Sequence, residues 1–178
     1  MAKQAAARSP PHLTKSELER IMEWKLKRGK FRPGLLKLVQ SNDEDLVEAC
    51  TSKAFKTDDI EKAMSYLTEL KGVGPATASA ILSGWNKQVP FMADEAMDAI
   101  PVLGPIKYSM AFFNKFRHKV ADICERINET AQADAEPLSI AEISRCLWLS
   151  AIINAPEKPS KKRRSGIPAA GPKTKKRS

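Results

Sequence analysis

The stretch Leu67-Thr68-Glu69-Leu70-Lys71-Gly72-Val73-Gly74-Pro75-Ala76-Thr77-Ala78-Ser79-Ala80-Ile81-Leu82 decides how the chain is read. Leu67 and Leu70 share one helical face, and Ala78, Ile81 and Leu82 answer them from a second helix. Ala78 is small where the two helices must approach closely. Between them Gly72 and Gly74 flank Val73, which permits a tight turn with positive φ angles and keeps Cβ atoms away from a ligand. Pro75 suits the first position of the following helix, where its missing N–H costs nothing. The segment therefore predicts a helix-hairpin-helix whose free N–H groups project from the turn as an anion site. Phosphate oxygens fit such a site, and contacts of that kind hold a DNA backbone without reading its sequence. An ordinary packing corner between two helices is the competing reading.

Outward from the hairpin, capping signals divide the rest of the chain into helices. Thr14-Lys15-Ser16-Glu17 fits a capping box ahead of Leu18, Ile21, Met22 and Leu26, with Gly29 as a stop. Pro33 opens a short helix carrying Leu35, Leu36, Leu38 and Val39. Ser41-Asn42-Asp43-Glu44 reads as a second capping box before Leu46, Val47 and Cys50, and Thr57-Asp58-Asp59 starts a helix through Ile60, Met64, Leu67 and Leu70. Further helices are expected at 75–85, 93–99 and 106–129, and Ser139-Ile140-Ala141-Glu142 caps the last one. No stretch alternates with period two. The prediction is an all-α domain over residues 13–153, between a disordered lead-in 1–12 and a disordered basic tail 154–178.

The chain has 178 residues and a formal net charge of +9. Location matters more than size here. Residues 157–178 hold nine Lys/Arg and one Glu, whereas residues 13–156 hold 19 Lys/Arg against 20 Asp/Glu. The domain is thus nearly neutral, and non-specific phosphate attraction falls to the tail. No apolar run approaches the ~20 residues of a membrane span, so no membrane partner is expected. The first residues, MAKQAAARSPPH, lack the apolar core of a signal peptide. Cys50, Cys124 and Cys146 stand far apart, without metal-ligand spacing, and read as reduced thiols. Neither a metal ion nor a cofactor is expected, and the chain is taken to act as a monomer.

At the hairpin the sequence resembles the helix-hairpin-helix DNA glycosylases of base-excision repair. In that superfamily an L-x-G-V-G-x-x-T-A hairpin is followed by an essential aspartate, eighteen positions after the second residue beyond G-V-G. That residue is Ala76 here, and eighteen positions on stands Asp94, with the apolar Met97 three beyond it; Thr77 and Ala78 match as well. With Trp24-Lys25-Leu26-Lys27-Arg28-Gly29-Lys30-Phe31-Arg32-Pro33 upstream, the wording is most similar to the Amun-like nuclear proteins. The match covers residues 67–97; elsewhere it extends only to helical character.

The resemblance implies that Gly72, Val73, Gly74, Ala76 and Thr77 meet DNA. It also implies that Asp94 stabilises the oxocarbenium-like charge on the sugar, or orients the attacking water, once the base has left the stack. Members that also cleave the strand carry a Schiff-base lysine where this chain has Ala76, so a monofunctional N-glycosylase without lyase activity is implied. The segment before the hairpin is short for the family, no Gln-rich gap-filling segment is evident, and the iron–sulfur cysteines of some members are absent. For Asp94 the competing reading is a residue that caps a short helix, with Glu95 and Asp98 as solvated neighbours.

Lys25, Lys27, Arg28, Lys30 and Arg32 surround Trp24 and Phe31. Lys25, Arg28, Lys30 and Arg32 are candidates for phosphate contact, with an aromatic ring available to stack on a base; the competing reading is a solvated face with Trp24 in the core. Lys115, Arg117, His118 and Lys119 form a weaker basic track. In the tail, Lys161-Lys162-Arg163-Arg164 and Lys175-Lys176-Arg177 are separated by ten residues. They resemble a bipartite nuclear-import signal, which implies an import receptor and a nuclear location; non-specific nucleic-acid attraction competes with this and is compatible with it. Three functions remain open: a DNA glycosylase, a non-enzymatic DNA-binding or chromatin-recruitment module, and a helical protein-interaction domain. The last would use Trp85, Phe91, Phe112, Phe113 and Phe116 as surface aromatics.

Overall fold

A computed structural model describes residues 2–28, 32–132 and 135–154, and all regular structure among them is helical. In chain order the helices are α1 (Ala2–Ala6), α2 (Lys15–Arg28), α3 (Pro33–Gln40), α4 (Glu44–Lys56), α5 (Ile60–Thr68), α6 (Pro75–Ser83), α7 (Asp94–Asp98), α8 (Met110–Thr130) and α9 (Ile140–Ile153). A single 3-10 turn, Pro101–Leu103, follows α7. None of the described helices is long and apolar enough to cross a membrane.

Most helix starts follow from local capping chemistry. Thr14 Oγ1 accepts the Glu17 N–H at 3.3 Å while the Glu17 carboxylate accepts the Thr14 N–H at 3.0 Å, which satisfies two orphan donors of α2. Ser139 and Glu142 form the same reciprocal pair at α9. Asp59 caps α5 through the N–H groups of Glu61 and Lys62. Ser109 caps α8, which is why that helix begins at Met110 rather than 106. The second expected box is not formed: Asp43 sits at the cap of α4 without a side-chain bond, and Ser41 ends α3 instead. Asn42, between them, is drawn to a distant partner described below.

Helix α6 lies at the centre. Ala76, Thr77, Ala78, Ser79, Ile81 and Leu82 are all buried, so nearly its whole circumference faces protein. It packs on α2, α5 and α8, while α7 and α8 pack on α9. Around it Leu18, Met22, Met64, Leu67, Phe113 and Phe116 are fully enclosed. Phe112, Phe113 and Phe116 therefore belong to the core, which leaves the interaction-domain reading without three of its surface aromatics. Trp85 stacks on Phe55 at 4.1 Å and donates its indole N–H to the Phe55 carbonyl.

The lead-in differs from its expected disorder. Over its described part it carries α1, with Ala5 fully buried. The Arg8 guanidinium donates to both Glu17 carboxylate oxygens, at 2.8 and 3.0 Å, and the Leu13 N–H donates to Thr51 Oγ1 at 3.0 Å. Composition conceals these ties because they depend on groups contributed by α2 and α4.

Candidate functional site

The turn between α5 and α6 is shaped by a left-handed glycine on one side and held by a buried amide on the other. Gly72 has φ +79°, as the sequence predicts for a glycine there. A Cβ on it would stand 3.0 Å from both the Leu35 carbonyl oxygen and the Leu38 Cβ, so α3 passes directly behind the turn. Gly74 differs from the expectation: its φ of −99° is ordinary, it caps α6, and a Cβ there would meet nothing within 4 Å. Asn42, 1% exposed, accepts the Lys71 N–H at 2.8 Å and donates to the Lys71 carbonyl at 3.0 Å. One side chain thereby fixes both backbone groups of the residue that enters the turn. At the start of α6 the Gly74 carbonyl accepts from Thr77 and Ala78. Among the described residues the N–H groups of Gly72, Gly74 and Ala76 meet no protein acceptor.

A strap, residues 89–93, delivers the chain from α6 to Asp94. Val89, Met92 and Ala93 are buried along it. Ser79 Oγ, fully enclosed on α6, accepts the Met92 N–H at 3.1 Å, and Ser144 Oγ on α9 accepts the Phe91 N–H at 3.3 Å. Asp94 is then the first residue of α7, and Ala93 holds the cap position, so Asp94 is not the helix cap of the competing reading. Its carboxylate instead accepts the Tyr108 hydroxyl hydrogen at 2.7 Å. Partial burial and then this bond to Asp94 push the Tyr108 phenol up to about 12, so it is a hydrogen-bond donor at any neutral pH.

These parts meet in a cavity of about 210 Å³. Its lining includes Gly72, Gly74, Ala76 and Thr77 from the turn and α6, Asp94 with Tyr108, and the cations Lys25, Arg28 and Arg32. Burial pushes the Lys25 amine down, Asp94 opposes that shift, and Arg32 adds to it. The Arg28 guanidinium lies 3.8 Å from the Trp148 ring centroid, with Trp24 and Phe91 at 5.2 and 5.1 Å, a stacked cation on the cavity wall. Arg32 lies over the Tyr108 ring at 5.7 Å.

Gly72, Gly74, Ala76, Thr77, Asp94, Lys25, Arg28 and Arg32, all candidates from the sequence, line this one cavity, whereas Val73 and Trp24 do not. Val73 is 5% exposed and packed in the core, and its N–H is bonded to the Leu70 carbonyl, so it lies outside the cavity. Lys30, Phe31 and the tail residues Lys161, Lys162, Arg163, Arg164, Lys175, Lys176 and Arg177 lie outside the described residues. Trp24 is 46% exposed and tilted against Phe91, not a core residue. In the basic track of α8, Lys115 donates to the Val102 and Leu103 carbonyls and Lys119 pairs with Asp122, so both are engaged within the protein. Sequence reasoning missed Asn42, Ser79, Tyr108 and Ser144. No local motif marks any of them, since each acts on a residue from another element. Comparison with family models, curated proteins and solved structures returns no match to the chain.

The Asp94–Tyr108 contact is open to a direct measurement. With Tyr66→Phe leaving Tyr108 as the sole tyrosine, spectrophotometric titration is expected to place its ionisation near 12. Adding Asp94→Asn removes the anionic acceptor and should lower that value toward the ordinary ~10. An ionisation unmoved by Asp94→Asn would reject the contact.

Proposed function

We propose that the chain is a nuclear DNA-binding protein with a helix-hairpin-helix, glycosylase-like domain, acting in base-excision repair as a monofunctional N-glycosylase. The observation that carries this reading is the cavity in which Asp94, the N-terminus of α6 and three cations converge. Unpaired N–H groups and cations on one rim favour an anionic backbone. At about 210 Å³ the cavity is below the ~300–1,000 Å³ of pockets for drug-sized ligands, which suits one extruded base. Asp94, held by Tyr108, would face positive charge developing at the sugar while Lys25, Arg28 and Arg32 neutralise neighbouring phosphates. The tail's basic clusters support long-range attraction to DNA and recognition by an import receptor.

Single-turnover base release across a panel of damaged duplexes tests the chemistry. Asp94→Asn is expected to slow release by roughly 10²–10³-fold, the loss of one electrostatic stabiliser at a developing charge. Duplex affinity should fall steeply with salt for wild type and variant alike. Salt-dependent binding without release from any substrate would favour the non-enzymatic module. Release that survives Asp94→Asn would reject Asp94 as the stabiliser.

A further inference from the structure

We propose that a groove between α2 and the end of α6 takes a segment of a partner protein, with apolar anchors followed by a carboxylate. The proposal stands independently of the DNA-binding reading. Two cavities of about 260 and 320 Å³ share Trp24, Ala80 and Gly84 in their linings, so together they form one groove. Its α2 wall is Ile21, Trp24 and Arg28, which lie on one helical face and span ~10 Å at the rise of an α-helix. Its floor, Ala80, Ser83 and Gly84, is made of small residues and leaves room for inserted side chains. All three tryptophans of the chain, Trp24, Trp85 and Trp148, line it, and Trp24 is exposed. Tryptophan and arginine are the side chains that most often anchor contacts between proteins.

The two ends of the groove differ. Toward α1 and α4 it is apolar, with Leu13, Phe55 and Trp85, and no cation lines it. Toward α9 it carries Arg28 and Arg145, and among the described residues neither has a carboxylate within 4.0 Å. No Asp or Glu among the described residues lines either half. At the α9 end Arg28 Nη2 and Trp148 Nε1 are buried donors with no partner among the described residues, where the guanidinium stacks 3.8 Å from the ring centroid. Both have lost water without gaining a bond, and both lack the same thing, an acceptor. A carboxylate that parts this stack supplies the acceptor and meets two cations at once. Arg28 also lines the turn cavity, and its planar fork of five donors serves acceptors on both sides. A nucleic-acid strand suits the groove less well, because the apolar half gives its phosphates no cation. The chain's own tail has the wrong sign, with nine Lys/Arg against one Glu over residues 157–178.

The test selects random dodecapeptides displayed on phage against the folded full chain, then titrates the recovered sequences, as synthetic peptides, by tryptophan fluorescence. The expected consensus is an apolar pair followed within about two helical turns by Asp or Glu, matching the span of the α2 wall. Gly84→Phe blocks the floor. The φ of −83° there is ordinary and a Cβ would meet only the Ile81 carbonyl oxygen, at 3.6 Å, so the backbone accepts the change. Peptide affinity is expected to fall at least about tenfold, with thermal unfolding recording that the variant remains folded. Arg145 is exposed, and a repeated selection on Arg145→Glu is expected to lose the acidic preference. If Gly84→Phe does not fold, the Arg145→Glu selection decides alone. No enrichment, a consensus without an acidic residue, an acidic preference that survives Arg145→Glu, or equal binding by folded Gly84→Phe overturns the proposal. Quenching by oligothymidylate that disappears in Gly84→Phe overturns it in favour of nucleic acid. A dimer in sedimentation that Gly84→Phe dissociates overturns it in favour of a second copy of the chain.

Discussion

Replacing Asn42 by alanine is expected to lower the unfolding free energy by about 2–4 kcal/mol, read by urea denaturation at constant m-value. The side chain is 1% exposed and uses both ends of its amide. Its oxygen takes the Lys71 N–H, while its nitrogen donates to the carbonyls of Lys71 and Val39, at 3.0 and 2.9 Å. Alanine leaves a backbone donor and a backbone acceptor at the entry to the turn without their partner, and the desolvation penalty of each is then uncompensated. The fitting control is Ser41→Ala next door, an exposed residue whose hydroxyl bonds only to the Leu38 carbonyl three residues back. Its cost should stay within about 0.5 kcal/mol. A cost for Asn42→Ala no larger than that of the control would show that the clamp does not hold the turn.

Gly72→Ala and Gly74→Ala are expected to differ by about 3 kcal/mol, although the two glycines read alike in the sequence. At Gly72 an alanine must adopt φ +79°, which costs roughly 1–2 kcal/mol. Its methyl must also displace a backbone carbonyl and a Cβ at 3.0 Å, with Val39 Cγ2 at 3.1 Å, an overpacking cost of about 1–3 kcal/mol. Neither the Leu35 carbonyl nor the Leu38 Cβ is the far end of a flexible side chain, so relief requires α3 to shift. At Gly74 the φ of −99° is open to any residue and the space is empty. There the weaker cap that alanine makes and the entropy it removes from the unfolded chain nearly cancel, within about 0.5 kcal/mol. Gly74→Ala is therefore the variant that tests phosphate binding at the turn without unfolding it. Its methyl stands beside the unpaired N–H groups, and duplex affinity should drop about tenfold, close to 1.4 kcal/mol. Equal stability losses at the two glycines would contradict the packing of α3 behind the turn.

Much of the helical framework was legible because it depends on neighbours a few residues apart. The capping boxes at Thr14 and Ser139, the Asp59 cap and the proline that opens α6 are local chemistry, and the structure carries each of them, although α5 ends at Thr68, before Leu70. The same local logic failed where a side chain had a better distant option. Asn42 lies within a local capping pattern, but its amide reaches 29 residues along the chain to Lys71. Arg8 belongs to a lead-in of small and polar residues, but it finds the buried Glu17 carboxylate.

Local chemistry along the chain is enough for the all-α class, for most helix boundaries, and for a glycine turn that leads into a proline-started helix. The crossing of the helices is what turns Val73 inward, keeps Trp24 at the surface and closes α3 behind Gly72. It alone brought Tyr108 to Asp94 across 14 residues and Lys25 from α2 into the same cavity. The reason is geometric. Helix formation and capping are satisfied within one turn of chain, whereas the surroundings of a side chain depend on how separate helices cross, and a single sequence carries no local signal for that.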